Sequence, residues 1–216
     1  MAYFKFNRLN KSKKMTTQLI FLPGASGSTQ FWQPLIHYLG LNDISKIIAY
    51  PGFGCEPAQD TITDFDTLTE YVLAQIDTPS IIIAQSMGGI FAVQAALEKA
   101  EMVKGLVLIA TSGGLDLSGF DVEDWRSAYQ EHYLNYPDWF VHTRVNHEHR
   151  LHDIQQSVLL IWGDQDRISP VSVGVHLQHL FPAANLLVVP EGDHALAEQQ
   201  ASKIAPPILQ FIKQLD

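Results

Sequence analysis

Cysteine is nearly missing from this chain. Cys55 is the only one in 216 residues, so no intramolecular disulfide can form, and the composition fits a reducing compartment. Charge is scarce as well. Charged residues make up 17% of the sequence, with 14 basic against 23 acidic and a net charge of −9. A protein that binds by neutralising phosphates carries the opposite balance, so nucleic acid is not an expected partner. No apolar run approaches the length of a membrane span. The run Leu19 to Leu22, closed by Pro23-Gly24, is also too short for a signal-peptide core. A soluble, cytoplasmic protein is expected. What is present is an ordinary globular share of apolar residues, 46%, which excludes a disordered or fibrous chain. The length suits a single domain with one sizeable core.

Short apolar runs alternate with helical patterns along the chain. Strands are expected at Thr17 to Leu22, Ser45 to Tyr50, Ser80 to Ala84, Val103 to Ala110, Ser157 to Trp162 and Asn185 to Val189. Helical spacing marks Phe31 to Leu39, Thr63 to Ile76, Met87 to Ala100 and Val171 to Leu180. A last helical stretch, Ala195 to Leu215, is expected to break at Pro206-Pro207. Strands apolar on both faces and separated by helices imply a mostly parallel sheet covered on both sides. One stretch, 115–156, breaks the rhythm. It has no clear strand but carries Trp125, Tyr129, Tyr133 and Trp139 on helical pieces, and it reads as a small cap inserted into the one domain.

In open parallel sheets, ligands sit at the carboxyl ends of the strands. Three strands here end in candidate chemistry. After Ile81-Ile82-Ile83 comes Ala84-Gln85-Ser86-Met87-Gly88-Gly89, a strand, a sharp turn with serine at its apex, and a helix. After Leu159 to Trp162 comes Gly163-Asp164-Gln165-Asp166-Arg167. After Leu187-Val188-Val189 comes Pro190-Glu191-Gly192-Asp193-His194. Either Asp164 or Asp166 suits the acid position from residue type alone.

Taken together, these residues resemble the α/β-hydrolase superfamily, from about Thr17 to the end of the chain. The elbow resembles Gly-x-Ser-x-Gly with Ala84 in the first position. Trp162 to Asp166 followed by Pro170 resembles the family's acid loop, Gly192-Asp193-His194 its histidine loop, and Pro51-Gly52-Phe53-Gly54 its loop after an earlier strand. The resemblance implies that Ser86 is the nucleophile, His194 the general base and Asp166 the group that orients it. It also implies an oxyanion hole from the backbone N–H groups of Met87 and Ala25. Pro23-Gly24 stands where the family usually has His-Gly, so the usual histidine support of that loop is lacking. The lead-in is short, with only Tyr3 to Leu9 free to add a strand, so a trimmed sheet of six or seven strands is expected.

The chemistry so implied is cleavage of a small or medium carboxylic ester through an acyl-enzyme, with no metal or organic cofactor. The same residues suit thioester or carbon–carbon bond hydrolysis, and an ester on a carrier-bound acyl chain is a narrower alternative. A different class is a non-catalytic small-molecule binding protein, which has no need of a base aimed at a serine. Trp125, Tyr129 and Trp139 are candidates for the substrate pocket. Arg126, Arg144 and Arg150 are candidates for an acidic carrier or a carboxylate-tailed substrate, although seven acids lie between Asp121 and Asp153. The histidines of His147-Glu148-His149-Arg150-Leu151-His152 lack metal-binding spacing, because Leu151 stands where a second ligand is needed.

Overall fold

The structure is a computed structural model that describes residues 17–137 and 139–215. Its sheet contains β1 (Gln18–Leu22), β2 (Ser45–Ile47), β3 (Ser80–Gln85), β4 (Val103–Ile109), β5 (Ser157–Gly163) and β6 (Ala184–Val189). The order is β2-β1-β3-β4-β5-β6, and every adjacent pair is parallel. The chain leaves β1 toward one edge to form β2, then returns to place β3 on the other side of β1. The carboxyl ends of β1 and β3 therefore flank the point where the strand order reverses, the position at which such sheets hold ligands. The strand expected over Tyr3 to Leu9 lies outside the described residues.

Alternation along the strands fills a core on each face. Ile20, Leu22, Ile82, Ala84, Leu106, Leu108 and Trp162 point to one side. There they meet α2 (Phe65–Ala74), α3 (Met87–Glu98) and α6 (Val171–Leu180). Leu19, Phe21, Ile81, Ile83, Val107 and Ile161 point to the other. That side is covered by α1 (Gln33–Leu39), α7 (Leu196–Gln199) and α8 (Ala201–Leu215). Strands that bury both faces need apolar residues at every position, which explains the unbroken Ile-Ile-Ile of β3. Local signals set the helix ends. Asp64 and Thr67 form a capping box at the start of α2, so the helix begins at Phe65, not at Thr63.

Two expectations need correction. Strand β2 stops at Ile47, three residues early, although the Ile48 N–H still donates to Phe21 O at 3.1 Å. The final helical stretch does not break at Pro206-Pro207. It is interrupted at Gln200, and α8 then runs through both prolines. Pro206 is exposed and Pro207 half-buried, while Ile204, Ala205, Ile208, Phe211 and Ile212 are buried. The carbonyls that lose a donor thus lie on the solvent side, where water replaces it, and the packed face holds the helix together.

The 115–156 segment enters between β4 and β5 and carries α4 (Trp125–His132) and α5 (Trp139–His142) between short 3₁₀ turns. Its Tyr129, Phe140, Val141, Leu151 and Ile154 join the core shared by α2 and α3. No helix among the described residues is long and apolar enough to cross a membrane.

The packed face of α8 should dominate its stability. Ile208→Ala is expected to cost about 2–5 kcal/mol in urea unfolding, whereas Lys203→Ala on the solvent face should stay within about 0.5 kcal/mol. Similar losses for the two would contradict the account of α8.

Candidate active site

Three described non-glycine residues hold positive φ: Ser86 (52°), Ala110 (47°) and Glu191 (59°). Each lies within two residues of the carboxyl end of a strand, so backbone strain gathers where the candidate chemistry is. Ser86, with ψ −121°, is held from both sides. Its N–H donates to Ile109 O at 3.1 Å, and its carbonyl accepts the Gly89 N–H at 3.0 Å. The same carbonyl accepts the Thr111 hydroxyl at 2.6 Å. The glycines that follow are required by space. A Cβ on Gly88 would fall 2.3 Å from Leu22 O, and one on Gly89 would fall 2.2 Å from Thr111 Oγ1. The start of α3 therefore rests directly on the end of β1 and on Thr111, two residues past β4.

This turn aims the Ser86 hydroxyl at His194, whose Nε2 lies 3.1 Å from Ser86 Oγ. On the other side of the ring, His194 Nδ1 lies 2.8 Å from Asp166 Oδ2. An ionised carboxylate only accepts, so Nδ1 carries the proton and Nε2 is free to take one from the serine. Asp166 is 5% exposed. Its second oxygen accepts the Ile168 and Ser169 N–H groups, both at 2.9 Å, which compensates the burial of its charge. Asp164 has another job. It accepts the Glu191 N–H at 2.7 Å and so ties the acid loop to the histidine loop. Asp193 accepts the Ala195 N–H at 2.8 Å, a local turn contact.

Ala25 lines the first of two cavities that contain Ser86, and Met87 lines the second. Among the described residues, neither backbone N–H donates to a protein acceptor, which leaves both available to a ligand oxygen. The loop carrying Ala25 is held by two tyrosines. Tyr50 donates to Pro23 O at 2.9 Å, and Tyr129 donates to Ala25 O at 3.0 Å. Burial raises the pKa of both phenols, with Tyr133 and Tyr136 adding to the effect at Tyr129, so each stays protonated as a donor. These two hydroxyls hold the carbonyls of the loop in which Pro23 stands in place of the family's usual histidine. Tyr50, Thr111 and Gln85, whose Nε2 donates to His194 O at 3.1 Å, were not singled out from the sequence. Thr111 had a usable signal, because it directly follows a strand-end residue in the same layer as Ser86.

Two cavities meet at Ser86 and His194. The first, about 580 Å³, is lined by Ala25, Phe31, Trp125, Tyr129 and Tyr133, with Glu123 and Asp124 at its rim. The second, about 590 Å³, is lined by Ile90, Leu115, Leu117 and Val145, together with Arg126 and Arg144. Trp125 and Phe140 stack at 5.4 Å between the two and line both. Of the three pocket candidates, Trp125 and Tyr129 are therefore at the cavities. Trp139 lines neither, and packs edge-on against Phe53 at 5.8 Å and Phe65 at 6.5 Å. Its helix α5 turns it toward the main core, which a helical pattern of aromatics does not reveal. Arg150 also lies away from the cavities and adds positive charge beside His147, whose pKa is lowered chiefly by burial. The other histidine-rich residues are engaged locally, as in the His176 Nε2 contact to Glu148 Oε1 at 2.9 Å.

Comparison with known proteins matches residues 19–147 to the alpha/beta hydrolase family. A pimeloyl-[acyl-carrier protein] methyl ester esterase of Legionella pneumophila (strain Corby) is 30% identical over 118 residues, 55% of this chain and 46% of that protein. The aligned part thus spans about half the length of the Legionella relatives. A protein of the same name from Neisseria meningitidis serogroup C is 25% identical over 207 residues, 76% of this chain and 80% of that one. Among solved structures, a putative lipase from Acinetobacter baumannii superposes with a TM-score of 0.79 at 19% identity, covering 92% of this chain and 84% of that chain. A thermophilic esterase from Thermogutta terrifontis gives 0.76 at 15% identity, covering 93% and 90%. These two are likenesses of fold.

The His194–Asp166 contact makes a spectroscopic prediction. A short N–H···carboxylate bond shielded from water should give a strongly downfield imidazole N–H signal in the proton NMR spectrum. Asp166→Ala should erase it while the amide envelope stays dispersed. A signal that survives in the folded variant would show that Asp166 is not its partner.

Proposed function

The chain belongs to the alpha/beta hydrolase family, and on that premise we propose that it is a serine esterase acting on a small or medium carboxylic ester through an acyl-enzyme. The observation that carries the reading is the continuous hydrogen-bonded chain from Ser86 through His194 to Asp166, which opens onto both cavities.

In this reading Ser86 Oγ attacks the ester carbonyl carbon as His194 Nε2 takes the hydroxyl proton. The carbonyl oxygen becomes an oxyanion and accepts the N–H groups of Ala25 and Met87. Asp166 stays ionised, stabilises the imidazolium and keeps the ring in its working tautomer. Collapse of the tetrahedral intermediate breaks the bond to the alcohol oxygen, which leaves with the proton from His194. Water then attacks the acyl-serine, giving a proton to His194. Breakdown of the second intermediate releases the acid and returns that proton to Ser86. Apart from the ester and water, this route uses only protein side chains and backbone N–H groups.

The 115–156 segment acts here as a cap, closing the cavities from above and fixing the Ala25 loop through Tyr129. The names of the relatives support, as a narrower alternative, a methyl ester on a carrier-held acyl chain. The lone Cys55 supports action in the cytoplasm. A binding protein on this fold gains nothing from a strained serine hydrogen-bonded to a buried His–Asp pair.

Turnover of short-chain p-nitrophenyl esters tests the proposal. Ser86→Ala and His194→Ala should each lower kcat by a factor on the order of 10⁴ or more, with the fold intact by circular dichroism, because such groups act as a unit. Turnover by Ser86→Ala close to that of the wild type would remove the proposal. An ester and a thioester of the same acyl group, run in parallel, separate the two chemistries.

A further inference from the structure

We propose that the second cavity is an anion subsite in which Arg126 and Arg144 receive a carboxylate at the far end of the acyl chain, so that half-esters of linear dicarboxylic acids are preferred substrates. This rests on the serine-esterase reading for what happens at Ser86, but its evidence is separate. Both residues line the cavity that contains Ser86 and His194, and both guanidinium groups donate to one acceptor. Arg126 Nε donates to Val141 O at 3.2 Å, and Arg144 donates through one terminal nitrogen to the same oxygen at 3.1 Å. That nitrogen also meets Thr143 O at 3.0 Å.

Two cations brought to one carbonyl repel each other. The pKa of Arg126 is lowered first by its partial burial and next by Arg144. A bound carboxylate would relieve the repulsion and accept the donors still free, since Arg126 keeps both terminal nitrogens beyond its bonded Nε. Nearby acids offset the pair only in part, through Asp124 at Arg126 and Asp116 at Arg144. Asp124 reaches Arg126 only at 4.0 Å, the outer limit of an ion pair. Asp116 lines the same cavity but is bound to the Ser118 N–H at 3.0 Å. Two arginines face one aspartate there, while the first cavity presents Glu123 and Asp124.

The contrast sets a direction. An anionic tail is repelled from the first cavity and drawn into the second. Ile90, Leu115, Leu117 and Val145 line the same cavity as Ser86 and the arginines and give a methylene chain apolar surface to lie on. The ester carbonyl then sits at Ser86, the acyl chain runs toward the arginines, and the small alcohol points to the first cavity.

The test compares each monomethyl half-ester, from succinate to sebacate, with the dimethyl ester of the same acid. Wild type should prefer the half-ester by at least about tenfold in kcat/KM at the best chain length, which corresponds to one charge-assisted contact. In the Arg126→Gln/Arg144→Gln double variant that ratio should fall to about one, mainly through KM, and the Arg→Lys double variant should keep part of it. A second arm needs no turnover. A free dicarboxylate of the best length should bind Ser86→Ala in calorimetry, and binding should vanish when both arginines are also glutamine. No preference in wild type, or an unchanged ratio in the glutamine variant, overturns the subsite. If the dimethyl ester is still hydrolysed, the serine-esterase reading stands. Dicarboxylate binding without any ester turnover supports the subsite and counts against that reading. A preference that appears only with a carrier-bound acyl chain also overturns the subsite, in favour of a protein partner.

Discussion

Ser86 occupies a backbone conformation that L-residues avoid, and nothing within its own turn makes that conformation favourable. It persists because the ends of two neighbouring strands crowd around it. The carbonyls of Leu22 and Pro23 stand where a side chain on residue 88 would be. Ile109 and Thr111 hold the serine backbone from the neighbouring strand. A strained residue of this kind costs about 1–3 kcal/mol, a load that the doubly covered sheet carries. In return, the hydroxyl stands clear of the sheet at the start of a helix, with the Met87 N–H beside it.

The same crowding registers the other loops. Asp164 accepts the Glu191 N–H, and the Gln165 N–H donates to Gly192 O at 2.8 Å, so the acid and histidine loops are tied to each other. A Cβ on Gly163 would fall 2.1 Å from Gly192 O, so this contact admits only glycine. Gln85, next to the serine, holds the backbone of His194. From the opposite side, Tyr50 and Tyr129 fix the carbonyls of the Ala25 loop. Tyr129 comes from the 115–156 segment, so the element that lines the cavities also holds the Ala25 loop.

Much of this was legible in the sequence, and for identifiable reasons. Strands buried on both faces leave unbroken apolar runs, and the serine, acid and histidine follow three of them. The parallel sheet, the family and the juxtaposition of Ser86, Asp166 and His194 were readable from that pattern. The choice between Asp164 and Asp166 was not fixed by residue type, because it depends on which carboxylate the loop turns inward. Tyr50 and Gln85 were invisible because their partners are backbone carbonyls distant in sequence. Trp139 misled because a helical row of aromatics looks the same whether it faces a cavity or a core. The prolines of α8 misled because local propensity yields to a buried face formed by Ile204, Ile208 and Phe211. The division into two cavities of unlike charge arises from the Trp125–Phe140 stack, a contact that no spacing rule contains.

The central claim is that the fold activates one serine. Intact mass spectrometry after exposure to a fluorophosphonate, with Ser86→Ala alongside, tests it without any knowledge of the substrate. The account predicts a single adduct on the wild-type protein and none on the variant. An unmodified, well-folded wild type, or an equal adduct on Ser86→Ala, would contradict it.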